Sequence, residues 1–150
     1  MSIVENSIGP LKMLEILDLS SNRLARVPDA IASLTKLTNL NLDDNLLTGL
    51  SDAIGTLKHL KCLSLRRNHL QLMMCVAGDI DGDLHPQQSL PKELWTNTPL
   101  IDLNLHGNPM TTTQLNTMDG YDVFLSRRRE VKNKDLLGGA MTDLEGCGLE

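Results

Sequence analysis

The chain has 150 residues, 41% of them hydrophobic, only three aromatic side chains (Trp95, Tyr121, Phe124) and a formal net charge of −5. That length suits one domain with a sizeable core; the acidic balance argues against a chain that binds nucleic acid over its whole surface; and no run approaches the roughly 18 apolar residues of a membrane span. The opening MSIVENSIGP lacks the basic start and apolar run of a signal peptide. Cys62, Cys75 and Cys147 are odd in number and lack the paired spacing of disulfide or zinc frameworks, which points to reduced thiols. These features predict a cytoplasmic protein, with the nucleus as the other compartment open to it.

In chain order, the first complete pattern is Leu14, Leu17, Leu19, Asn22, Leu24. It returns as Leu37, Leu40, Leu42, Asn45, Leu47, then Leu60, Leu63, Leu65, Asn68, Leu70, and finally Leu100, Leu103, Leu105, Asn108, Met110. Asn22 to Asn45 and Asn45 to Asn68 are each 23 residues, and self-similarity at such a period marks a solenoid. In L-x-L the two leucines are two apart, so both point to one face of a strand and the residues between them to the other. One strand cannot bury its leucines alone; stacked repeats place each Leu between its counterparts, at about 1.5 to 3 kcal/mol per fully buried side chain. The asparagine stands where the chain leaves the strand, and its amide can satisfy backbone groups that the turn leaves unpaired.

The connecting pieces include Val27-Pro28-Asp29-Ala30-Ile31 and Leu90-Pro91-Lys92-Glu93-Leu94. With the four L-x-x-L-x-L-x-x-N-x-L units, these resemble the leucine-rich repeats of the intracellular Ras-group family over roughly residues 4–110. The expected fold is α/β: a right-handed leucine-rich repeat solenoid with a parallel concave sheet of about four strands, short helical or 3₁₀ convex segments and a C-terminal capping helix. Residues 28–34 and 51–57, opening on Pro28 and Ser51, predict those convex turns. In the fourth unit Asn97 takes the place of Leu34 and Leu57, a thinner layer that Trp95 either fills or leaves open by lying on the surface.

Val4, Ile8 and Leu11 stand 23 residues before Val27, Ile31 and Leu34, so the chain is expected to begin in the outer half of a repeat whose strand is missing. An uncapped end exposes core side chains. A fragment or variant of a longer repeat protein explains this better than a covering partner, and self-association through the open end is its consequence. From Asn68 to Asn108 is 40 residues, and the surplus falls at about 73–89. Asp79, Asp81 and Asp83 there alternate like calcium ligands, but Leu84 and Leu90 occupy the positions that need Gly and Glu, so a solvated acidic loop is expected and no metal. Residues 119–137 predict the longest helix, with Tyr121, Phe124, Leu125 and Arg128 on one side as a cap over the fourth layer. Its basic run, Arg127, Arg128, Arg129, Lys132 and Lys134, reads as a solvated face without interleaved aromatics. The expected division is therefore repeats over 1–110, a helical cap over 111–137 and a tail over 138–150.

Four scattered histidines and three thiols form no catalytic or metal motif, so neither an enzyme nor a cofactor is expected. Strand alternation instead assigns an outward surface. One column is Asp18, Asn41, Ser64, Asn104; a second is Ser20, Asp43, Arg66, His106; a third is Ser21, Asp44, Arg67, Gly107; and a fourth is Ile16, Asn39, Cys62, Asp102. Asp43 and Asp44 beside Arg66 and Arg67 read equally as neighbouring salt bridges or as a bipolar surface matched to a partner. The candidate binding residues are Asp18, Ser20, Asn39, Asn41, Asp43, Asp44, Ser64, Arg66, Arg67, Asp102, Asn104 and His106. The resemblance implies a protein-interaction module, a scaffold or regulatory subunit in signalling or a similar assembly. The alternatives are a binder of nucleic acid or another acidic surface using Lys61, Arg66, Arg67, His106 and the 127–134 run, and a truncated repeat fragment with no separate job.

Overall fold

The structure, a computed structural model, describes residues 8–71 and 90–138. Val4, the insertion with Asp79, Asp81 and Asp83, Cys75, Cys147 and all of the expected tail except Gly138 lie outside the described residues.

Four three-residue strands form one parallel sheet in sequence order: β1 Ile16–Asp18, β2 Asn39–Asn41, β3 Cys62–Ser64 and β4 Asp102–Asn104. Leu17, Leu40, Leu63 and Leu103 stand opposite one another in register. That alignment is what the repeat requires, because each leucine is then buried by its counterparts on either side. Leu40, Leu63 and Leu103 are buried, and Leu17 on the edge strand is half-buried.

The convex side is built from two 3₁₀ turns, η1 Asp29–Ser33 and η2 Asp52–Thr56, followed by α1 Lys92–Thr96. Each begins after a residue in extended conformation, Pro28, Ser51 or Pro91. Ser51 does not cap its own turn as its hydroxyl suggests; it donates instead to Asp29 Oδ1 in the preceding repeat at 3.2 Å. Where η2 meets α1 the layers pack closely. A Cβ on Gly55 would stand 2.5 Å from Glu93 Cβ, so only glycine fits there.

The asparagine ladder forms as the spacing requires. Asn45 Nδ2 donates to Leu19 O, Leu42 O and Asp43 O, and its Oδ1 accepts from Leu24 N–H. Asn68 repeats the pattern on Leu42, Leu65, Arg66 and Leu47. Asn108 does so on Leu65, Leu105 and Leu70. Each amide thus joins its own turn to the one before it.

After β4 the chain leaves through α2 Thr112–Asn116, whose Thr111 and Gln114 form a reciprocal capping box, into α3 Tyr121–Gly138. Tyr121 and Phe124 close on Trp95, with ring centroids 5.2 and 5.7 Å from it. All three rings are buried, so Trp95 fills the layer where Asn97 replaces leucine. Leu125 packs against the same core. Arg127, expected on a wet face, turns inward and donates to Leu100 O at 2.9 Å and Trp95 O at 3.1 Å, tying α3 to the fourth repeat.

Candidate functional site

The outward columns inferred from alternation are the columns of the sheet. Ile16, Asn39, Cys62 and Asp102 are register partners, as are Asp18, Asn41, Ser64 and Asn104. Together with Asp43, Leu17, Leu40 and Leu63 they line one open groove of about 370 Å³ on the concave face. Of the candidate residues, Asp18, Asn39, Asn41, Asp43, Ser64, Asp102 and Asn104 lie in this groove; Ser20, Asp44, Arg66, Arg67 and His106 do not line it.

Hydrogen bonds explain the second column, which sequence reasoning treated only as surface. Two residues after each strand's last outward position, a backbone N–H needs an acceptor. Asp18 Oδ1 takes that of Ser20 at 2.8 Å, Asn41 Oδ1 that of Asp43 at 3.0 Å and Asn104 Oδ1 that of His106 at 3.1 Å. In the third repeat the equivalent residue is Ser64, whose hydroxyl donates 2.6 Å to Asp43 Oδ1 instead. Asp43 then accepts the Arg66 N–H in its place, at 2.8 Å. The recurrence of Asp, Asn and Asn at this position was the available signal.

The rim column has a backbone origin as well. Ser21, Asp44 and Arg67 have positive φ angles of 56°, 54° and 49°, and Gly107 at 77° is their fourth counterpart. Glycine suits that conformation and Asp tolerates it, whereas arginine there is uncommon. Arg67 clasps Asp44 through Nε and Nη2, at 2.6 and 2.9 Å. The guanidinium holds the Asp44 carboxyl below the ordinary aspartate value by that hydrogen bond and by its charge. Of the two acid–base neighbours expected here, this pair is a salt bridge; Asp43 meets Arg66 through the backbone N–H.

At the fourth strand the environment changes. Burial pushes the Asp102 carboxyl above its ordinary value, with the Arg128 charge acting the other way. The Cys62 thiol, free and half-buried, is also raised, first by burial and then by the charge of Asp102. Among the described residues no group of three or more His, Cys, Asp or Glu side chains is placed to hold a metal ion. No helix among them is long and apolar enough to cross a membrane.

Residues 12–70 match the family described as Leucine rich repeat. Among solved structures, the chain is similar to a chain of the Drosophila melanogaster SNF/U2A′ complex at 22% identity, covering 91% of this chain and 80% of that one with a TM-score of 0.51. It is also similar to a leucine-rich repeat protein of Leptospira interrogans at 28% identity, covering 70% of this chain, with a TM-score of 0.48. The match spans 28% of the length of that Leptospira chain. A search of curated proteins finds no match.

Proposed function

We propose that this chain, which is a leucine-rich repeat protein, is a non-catalytic interaction module that binds a partner protein on the concave face of its sheet. The observation that carries this reading is the alignment of Asp18, Asn41, Ser64 and Asn104, and of Asn39, Cys62 and Asp102, along one open groove. Side chains fixed on adjacent strands about 4.8 Å apart present a preorganised polar surface, so little ordering entropy is lost when a partner docks. Arg66 and His106, just beyond the groove, extend the surface toward the rim. We place the division of labour at the end of the fourth repeat, with residues 111–137 serving as the cap, and the working compartment in the cytoplasm.

The groove argues against the nucleic-acid alternative, because its lining contains no lysine or arginine to meet phosphate. Affinity capture from cell extract tests the reading, using the intact chain beside Asn39→Trp. Asn39 is exposed and stands in the groove, so a tryptophan there obstructs docking without entering the core. A partner recovered by the native chain and lost from the variant, at unchanged melting temperature, is the expected outcome. Partners that all stay bound would remove the concave face from consideration.

A further inference from the structure

The groove lining has a definite electrical character. It holds three carboxylates, Asp18, Asp43 and Asp102, from the first, second and fourth repeats, and no basic side chain. Asp18 is held by the Ser20 N–H and by Asn41 Nδ2 at 3.2 Å, and Asp43 by the Ser64 hydroxyl and the Arg66 N–H. All four donors are neutral, so they orient the two carboxylates while leaving their charge intact. Asp102 is half-buried at the other end of the groove, where burial already disfavours its charge and Arg128 offsets that only in part. On the rim Arg67 is committed to Asp44, and Arg66, outside the lining, meets Asp43 through its backbone N–H. Beside Asp18, in the same lining, Ile16 is 68% exposed.

On the reading that the concave face is the binding face, we propose that this groove takes a cationic amphipathic segment of a partner protein, its lysine or arginine side chains meeting Asp102 and the Asp18–Asp43 pair while an apolar side chain seats on Ile16. Concave walls focus the field of like charges, so a cation gains more here than on a flat surface, and an anion is repelled. Three strand spacings separate Asp18 from Asp102, about 14 Å. A helix rising 1.5 Å per residue spans that distance in nine or ten residues, roughly two and a half turns. The apolar contact belongs at the β1 end, so the segment has a polarity: apolar and basic side chains together at one end, basic alone at the other.

The test uses fluorescence anisotropy with two labelled 16-residue helical peptides, one carrying lysines at that spacing and a leucine at one end, the other with glutamates in place of the lysines. The protein is the full chain, the double variant Asp18→Asn/Asp102→Asn, and a charge-matched control, Asp52→Asn/Asp122→Asn, at exposed positions outside the groove. Asparagine keeps the acceptor that Asp18 supplies to the Ser20 N–H, and melting curves verify that each variant is folded. The expected result is that the lysine peptide binds, that Asp18→Asn/Asp102→Asn weakens it about tenfold, and that the control weakens it by less than about twofold. Binding of the glutamate peptide as tightly as the lysine peptide, equal losses in the two double variants, or no binding of either peptide overturns the proposal. Asn39→Trp separates the two levels of inference. If it blocks a glutamate peptide that binds, the concave face stands and the cationic preference falls; if it leaves a bound lysine peptide untouched, both fall.

Discussion

Asn22 and Asn68 occupy the same place in their repeats and live in different environments. Asn22 is exposed, and among the described residues its amide reaches Leu19 O and Ser20 O, within its own turn. Asn68 is buried and joins two turns through four hydrogen bonds. The leucines follow the same gradient: Leu14, Leu17, Leu19 and Leu24 are half-buried, while their counterparts in the second and third repeats are sealed. At the first layer Leu11 is 47% exposed and Met13 78%, whereas at the last Trp95, Tyr121 and Phe124 close the stack. One motif therefore yields different energetics according to whether a neighbour stands on both sides, as expected of an array stabilised by nearest-neighbour contacts.

The sharpest way to break this comparison is at the closed end. Phe124→Ala is expected to cost about 3 to 5 kcal/mol, since it opens a cavity in the aromatic seal, whereas Leu11→Ala, at a largely exposed side chain beside the first repeat, costs little. Urea unfolding of both variants measures the difference, and equal losses would mean that the helix does not seal the stack. Next, Leu63→Ala is expected to cost about 2 to 5 kcal/mol and Leu17→Ala distinctly less, because among the described residues half-buried Leu17 has a neighbouring strand on one side only. The ladder gives a smaller step: Asn45→Ala or Asn68→Ala should cost about 1 to 3 kcal/mol by stranding buried backbone groups, against a loss well below that for Asn22→Ala. A flat profile along the ladder in thermal melts would contradict the gradient.

The smallest effect concerns charge. Asp102 has a raised folded-state pKa, so the stability its protonated form confers is present below the ordinary aspartate value and lost as pH rises through the folded value. Asp102→Asn should therefore leave the melting temperature unchanged in acid and raise it slightly at pH 7. Asp44 has the opposite sign: its pairing with Arg67 stabilises at neutral pH and fades as pH falls through its lowered value. A melting temperature that responds identically to Asp102→Asn and Asp44→Asn across that range would show that neither environment is as described.

Much of this was legible in the residues. The register of Leu17, Leu40, Leu63 and Leu103, the asparagine ladder, the convex turns after Pro28, Ser51 and Pro91, and the long helix near 119–137 all follow from spacing. So do the outward columns, because side-chain period in a strand is two wherever the strand sits. Less legible was what the outward residues do at home. Asp18, Asn41 and Asn104 each hold a backbone N–H, and Asp43 takes over where Ser64 cannot; that substitution joins two repeats and is invisible within either. Arg67 in a left-handed conformation contradicts its local preference and is retained beside the Asp44 contact. Arg127 looked like one more solvated cation until the approach of α3 brought it to Leu100 O and Trp95 O.

The sequence by itself determined which side chains repeat, at what period, and on which side of each strand they fall, since these depend only on local geometry and the demand that leucine leave water. Tertiary structure alone decided how much each copy is worth and which polar groups are spent on the fold, because burial, hydrogen-bond closure and the field within the groove depend on what stands next to a residue in space rather than on what precedes it in the chain.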